Sequence, residues 1–250
     1  MNFTNKFDIS QKTILVTGAT SGIGFATSKL LIHLGCSLYV VGRNTDKLAE
    51  LETLGNGEVT AIQADLRDNE DLKKVVESIA KIDGFVHSAG VVKNIPLQFI
   101  SRDYLETERS LNYDSFLFLT QMLMKKRKIN SGGSIVPVAS IAGSAGIPGL
   151  SVYCGSKAAL VGTMRVLAKE FSSNKIRVNT ISPGMVKTEL VDKAADSLTV
   201  EALLLDEQKY PLGYGLPDDV AYSIAFLLSD ASSWMTGQDI ILDGGRTSYV

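Results

Sequence analysis

Tyr153 and Lys157, in the stretch Ser151-Val-Tyr-Cys-Gly-Ser-Lys157, are of the right types and spacing to move a proton. The residues that follow, 156–170, repeat apolar side chains with helical period, so the pair falls near the start of a helix. Four residues apart, the two share one helix face. A free phenol titrates near pH ~10 and is a poor acid or base at neutrality. A neighbouring ammonium favours the phenolate and is expected to pull that pKa towards the working range. Such pairs are also common on helix surfaces, so the surrounding elements must decide whether this one is used.

A second group suits a phosphate. Gly18-Ala-Thr-Ser-Gly-Ile-Gly24 stands where an apolar run, Lys12-Thr-Ile-Leu-Val-Thr17, gives way to a helical pattern. A glycine-rich turn there lets the backbone approach a pyrophosphate and aims helix N-terminal amides at it. The spacing differs from G-x-G-x-x-G, and a tight ligand-free turn is the plain alternative; three glycines at a strand-helix junction favour binding. The next strand ends Val40-Val-Gly-Arg-Asn44. An acid would be expected there to bind the ribose of NAD, whereas Arg43 suits the 2′-phosphate of NADP(H). NADP(H) is therefore the expected cofactor, with NAD(H) as the alternative. Asp65, in Ala64-Asp-Leu-Arg67, is placed to accept from an adenine amino group, or simply to form a turn.

These groups need a scaffold, and the chain spells one out. Short apolar strands are expected at 12–17, 37–42, 58–64, 84–88, 133–140, 176–182 and 238–243. Helical patterns lie between them at 25–34, 44–54, 69–80, 101–126 and from Tyr153 onward. Such alternation predicts right-handed crossovers and one doubly wound α/β Rossmann domain over residues 1–250, with a seven-stranded parallel sheet covered on both faces. Pro137 lies inside the fifth strand, where it removes a ladder donor, so a local distortion is expected just before Ser140.

Composition narrows the classes further. The 250 residues are 45% hydrophobic and 21% charged, with a net charge of −2, so nothing draws the chain to nucleic acid or anionic membrane. No apolar run approaches the ~20 residues that span a bilayer, and the polar first ten residues show no leader. Cys36 and Cys154 lack partners at metal-ligand spacing, which suggests buried free thiols in a cytoplasmic protein and no metal site.

Taken together, Thr17-Gly-Ala-Thr-Ser-Gly-Ile-Gly24, Asp65-Leu66, Ser88-Ala-Gly90, Asn112, Ser140, Tyr153-x-x-x-Lys157 and Pro183-Gly184 resemble the short-chain dehydrogenase/reductase family over nearly the whole chain. The nearest likeness is to its 3-oxoacyl-[acyl-carrier-protein] reductase and carbonyl reductase branch. The resemblance implies roles. Ser140 hydrogen-bonds the substrate oxygen, Tyr153 exchanges the proton, Lys157 binds the nicotinamide ribose and lowers the tyrosine pKa, and Asn112 holds a water in a proton relay. Gly18, Thr20, Ser21, Gly22, Ile23, Gly24, Arg43, Asn44, Asp65, Leu66, Ser88, Ala89, Gly90, Tyr153, Lys157, Pro183, Gly184, Val186 and Thr188 would contact the cofactor. Thr188 would meet the carboxamide, and the segment 188–215 would cover the substrate, with Leu190, Leu198, Leu203 and Leu204 lining a pocket or packing as core.

The family's usual Asn-Asn-Ala-Gly is His87-Ser-Ala-Gly90 here, and Ala139 replaces a frequent serine. His87 is expected to be a core residue hydrogen-bonded to backbone. The basic run 125–128 is expected to be a solvated helix end that complements the dipole rather than a carrier-protein dock. The implied activity is carbonyl–alcohol interconversion, on a 3-oxoacyl thioester, free or held by a carrier protein, or on a sugar, polyol or steroid. A non-catalytic dinucleotide binder is the rival. The resemblance also implies a homotetramer through the helices at 101–126 and 156–171 and the C-terminal strand.

Overall fold

The computed structural model describes residues 5–188 and 200–248. In the first half, apolar strands alternate with helices: β1 (Thr13–Thr17), α1 (Gly22–His33), β2 (Ser37–Gly42), α2 (Thr45–Gly55), β3 (Val59–Gln63), α3 (Asn69–Ser78) and β4 (Ile82–His87). Capping sets two of the boundaries. Asn44 accepts from the Lys47 amide at the start of α2, and Asp68 accepts from the Glu70 and Asp71 amides at the start of α3. The second half continues with α4 (Arg102–Arg109), α5 (Ser115–Lys125), β5 (Ile129–Pro137), α6 (Ser151–Glu170), β6 (Arg177–Val178), β7 (Thr180–Pro183), α7 (Val200–Glu207), α8 (Pro217–Leu228) and β8 (Asp239–Leu242).

Six strands form one parallel sheet in the order β3-β2-β1-β4-β5-β6. Side chains alternate across it. Leu15, Phe85 and Ile135 join a core with residues of α3, α5 and α6, while Ile14, Val16, Val86 and Val136 join one with residues of α1, α2 and α8. Burial on both faces explains why these strands read as continuous apolar runs rather than alternating ones.

The expected seventh strand belongs to a separate parallel pair, β7-β8, and the single strand expected over 176–182 is split into β6 and β7. The cause lies in Pro137. The Asn179 amide donates to Ile135 O at 3.1 Å and the Ala139 amide to Ile181 O at 2.7 Å. The donor position between them falls to Pro137, which has no N–H. A lone bridge, Val138 to Ile181, keeps the register of β5 against β6 running into β7. The distortion expected before Ser140 is this interruption.

The helix expected over 101–126 is also divided. A π-turn at Ser110–Asp114 separates α4 from α5 and carries the buried Asn112. Among the described residues no helix is long and apolar enough to cross a membrane.

Candidate functional site

The β1–α1 turn is shaped by its glycines. Gly18 holds φ +67°, and a Cβ there would lie 2.6 Å from the Ala89 amide nitrogen. A Cβ on Gly24 would lie 2.2 Å from Gly18 O, so neither position admits a side chain without the turn moving. Ser21, at the N-cap of α1, makes no side-chain capping bond. The first-turn amides of α1 are thus left for another acceptor, as an anion site requires. A cavity runs from this turn across the C-terminal ends of the strands. Gly18, Thr20 and Ser21 line it beside Gly42, Arg43, Asp65 and Leu66, and it ends at Ser88, Ala89, Gly90 and Leu111.

Other expected cofactor residues sit around that cavity in different ways. The Thr188 side chain stands against Gly22, 3.3 Å from where a Cβ would be. Ile23, in the first turn of α1, packs against the core, and Asn44 uses its side chain to cap α2. Pro183 O lies 3.5 Å from Ser140 Oγ; Gly184 packs against Tyr210 and Asp243; the buried Val186 bridges to Gly215.

At the adenosine end, Arg67 grips the Asp65 carboxylate through Nε, at 2.9 and 3.2 Å, and through its terminal nitrogen. The Arg43 guanidinium is 4.0 Å from the same group. Hydrogen bonding from Arg67 holds Asp65 down at about 2, so it stays a carboxylate already paired with a cation. Arg43 is 63% exposed and keeps its fork open to the cavity mouth.

At the opposite end, the fold gathers the four residues expected to react. Ser140 follows β5, Tyr153 and Lys157 share α6, and Asn112 comes from the π-turn. The Ser140 hydroxyl accepts from the Ala142 amide at 3.1 Å and stands close enough to the Tyr153 phenol to lower its pKa. Lys157, 5% exposed, donates to Val138 O at 2.8 Å, and its Nζ lies 5.6 Å from the Tyr153 ring centre. The Asn112 amide brackets Val91, accepting its N–H at 2.7 Å and donating to its carbonyl at 2.8 Å.

The electrostatics correct one expectation. Burial pushes the Tyr153 phenol up to about 12, the Ser140 hydrogen bond opposing it, so the free site does not hold this tyrosine near neutrality. Lys157 is buried as well, and burial pulls its ammonium down to about 8.

Several neighbours escaped the sequence reading. His87 is a buried core residue as expected, and its ring also meets two hydroxyls: Thr17 Oγ1 is 2.9 Å from Nδ1 and Ser115 Oγ 3.4 Å from Nε2. Glu108 lies buried beside Asn112, its Oε1 accepting from Nδ2 at 3.3 Å, and it also accepts from the Tyr104 hydroxyl. A repeat of polar residues at 104, 108 and 112 was the available signal, since four-residue spacing puts them on one helix face. Cys36 is buried as expected, but Cys154 is only half-buried. Among the four leucines of the covering segment, Leu190 and Leu198 lie outside the described residues, Leu203 is half-buried and Leu204 is exposed. The Tyr214 hydroxyl, bonded to Leu203 O and Asp206, ties α7 to the loop that follows it.

A Rossmann sheet with a glycine cradle at one end of a cavity and a Ser–Tyr–Lys cluster at the other defines a dinucleotide-dependent oxidoreductase. The chain belongs to the short-chain dehydrogenase/reductase family. Residues 18–247 match the family model described as Enoyl-(Acyl carrier protein) reductase. The chain is 36% identical over 239 residues to a 3-oxoacyl-[acyl-carrier-protein] reductase of Rickettsia conorii, covering 95% of this chain and 98% of that one. It is 34% identical over 250 residues to an NAD-dependent glycerol dehydrogenase of Listeria innocua, covering 98% and 97%. A crystal structure of a short-chain type dehydrogenase/reductase from Mycobacterium marinum matches it with a TM-score of 0.87 at 30% identity, covering 97% of this chain and 98% of that one.

Proposed function

We propose that the chain is an NADP(H)-dependent reductase that interconverts a carbonyl and a secondary alcohol, with 3-oxoacyl thioesters as the leading substrate class. The observation that carries this reading is the convergence of the Ser140 and Tyr153 hydroxyls and the Lys157 ammonium at the Gly90 end of the cavity. When bound, the dinucleotide supplies or takes up the hydride. The turn at 18–24 and the α1 amides hold its pyrophosphate, Arg43 binds the 2′-phosphate, and Lys157 and Thr188 hold the nicotinamide end. Ser140 donates to the substrate oxygen, and Tyr153 gives that oxygen its proton as negative charge builds there. Asn112, locked to Val91, keeps the wall beside Lys157 polar.

The reductase named in Rickettsia conorii supports a thioester held on a carrier protein, whereas the relative in Listeria innocua supports a small polyol and NAD as the second reading. Within the basic run 125–128, the Lys128 ammonium donates to Ile79 O beyond the end of α3, while the other three side chains are exposed as a solvated helix end would be. The chain acts as one dinucleotide-binding unit in the cytoplasm, where its free thiols stay reduced. It assembles as a homotetramer, which the exposed Leu97 and Phe99 before α4, Leu105 on α4, and Trp234 and Ile241 near the C-terminus support. Light scattering that returns a monomer contradicts the tetramer.

A panel of 3-oxoacyl thioesters, sugars, polyols and steroids, followed by NADPH absorbance, tests the activity. Tyr153→Phe is expected to abolish turnover while NADPH binding is largely kept. Unchanged turnover in that variant removes Tyr153 from the mechanism.

A further inference from the structure

The buried side of α4 presents an acid to the reacting cluster. Glu108 is 1% exposed. Tyr104 stands one helical turn before it and Asn112 one turn after, and both hydrogen-bond its carboxylate. A carboxylate taken out of water needs a nearby cation to stay ionised. The available one is Lys157. A side chain at Gly90 would meet Asn112 Oδ1 at 3.1 Å and Lys157 Nζ at 3.6 Å, so the amide that bonds the carboxylate and the ammonium border the same spot. Lys157 in turn has no carboxylate within 4.0 Å among the described residues, and it donates to a neutral carbonyl, Val138 O.

We propose that Glu108 is the counter-charge that keeps Lys157 an ammonium in the reacting cluster, a positioning residue acting through Lys157 rather than on substrate. The inference rests on the reductase reading above. The other groups facing the pair do not compete. Tyr104 on α4 and Tyr153 on α6 are neutral phenols, both held well above neutrality by burial. His87 on β4 is neutral between two hydroxyls, burial pulling it down to about 3. Burial lowers Lys157 and raises Glu108, and each opposes that effect on the other. Without the carboxylate, Lys157 loses its proton at lower pH, and with it the positive charge beside the oxygen that Tyr153 protonates.

The test is a lysine 13Cε NMR titration of the unliganded protein, with the Lys157 signal assigned by its loss in Lys157→Arg. Glu108→Gln is expected to lower the Lys157 midpoint by about one pH unit, a tenfold change in proton concentration, and Glu108→Asp to restore most of it. Glu108→Leu gives the same prediction should the glutamine variant fail to fold. Its neighbours remain satisfied, since Asn112 Nδ2 keeps Val91 O at 2.8 Å and the Tyr104 hydroxyl keeps Lys93 O at 2.9 Å. The alkaline limb of kcat/KM for carbonyl reduction should move with the NMR midpoint. A Lys157 midpoint unmoved in either neutral variant overturns the role of Glu108. A wild-type protein that reduces no carbonyl substrate overturns the reductase reading instead, and leaves the NMR result to decide the charge pairing alone.

Discussion

Replacing His87 with asparagine should make the protein less sensitive to acid. The Ser115 hydroxyl gives its proton to Leu111 O at 2.7 Å, so it can only accept from His87 Nε2. Nδ1 must then accept from the Thr17 hydroxyl at 2.9 Å. Protonating Nδ1 would break that bond and place a charge in a fully buried site near Lys157. Burial is the larger cause and the Lys157 ammonium the second, and together they pull His87 down to about 3. In the unfolded chain the ring titrates near ~6.5. Between those values the unfolded state binds the extra proton, so stability falls as pH falls through the window from about 6.5 to about 3. Linkage gives a loss of about 2 kcal/mol between pH 7 and pH 5 from this one residue. Asparagine can serve the same two hydroxyls and does not titrate. Urea unfolding of both proteins at pH 7 and pH 5, at one fixed protein concentration, isolates the effect, because every other titrating group is common to the two. Wild type should lose about 2 kcal/mol more than His87→Asn over that interval. Equal losses would show that His87 takes up its proton without cost, and would refute the buried neutral assignment.

Three further outcomes follow from the geometry. Gly24→Ala, whose methyl would sit 2.2 Å from Gly18 O, should cost ~1–3 kcal/mol in thermal unfolding and weaken NADPH binding by fluorescence titration; full affinity in a folded variant would contradict the cradle. Arg43→Ala should weaken NADPH at least tenfold, about 1.4 kcal/mol, while leaving NADH nearly unchanged. Equal wild-type affinities for the two cofactors would show that Arg43 is not the selector. Arg177→Ala should destabilise by roughly 2–4 kcal/mol in urea, because the buried guanidinium bonds Leu227 O at 2.9 Å, Ser229 O at 3.2 Å and Ser232 Oγ at 2.8 Å, and so ties the end of α8 to β6. A loss below ~1 kcal/mol would mean that water replaces it without penalty.

Features set by neighbours in the chain were legible without coordinates. The strand-turn-helix at 13–33 is written in β-branched apolar residues, three glycines and helical period, and Tyr153 and Lys157 share a face because four residues make about one turn. Pro137 announced a fault in β5 because a missing N–H is a property of the residue alone. Where that fault fell in the partner strand was decided by register, which set Asn179 against Ile135 and cut the expected strand into β6 and β7. The same limit applies to charge. Asn112 and Lys157 meeting at Gly90, and His87 held by Thr17 and Ser115, join residues from different elements. The residue types at Tyr153 and Lys157 could be read from the chain, and they defined the chemistry within reach. Their protonation could not. A pKa depends on burial and on charges brought close by folding, and here burial moved the phenol up to about 12 and the ammonium down to about 8, against the sequence-based expectation for the tyrosine.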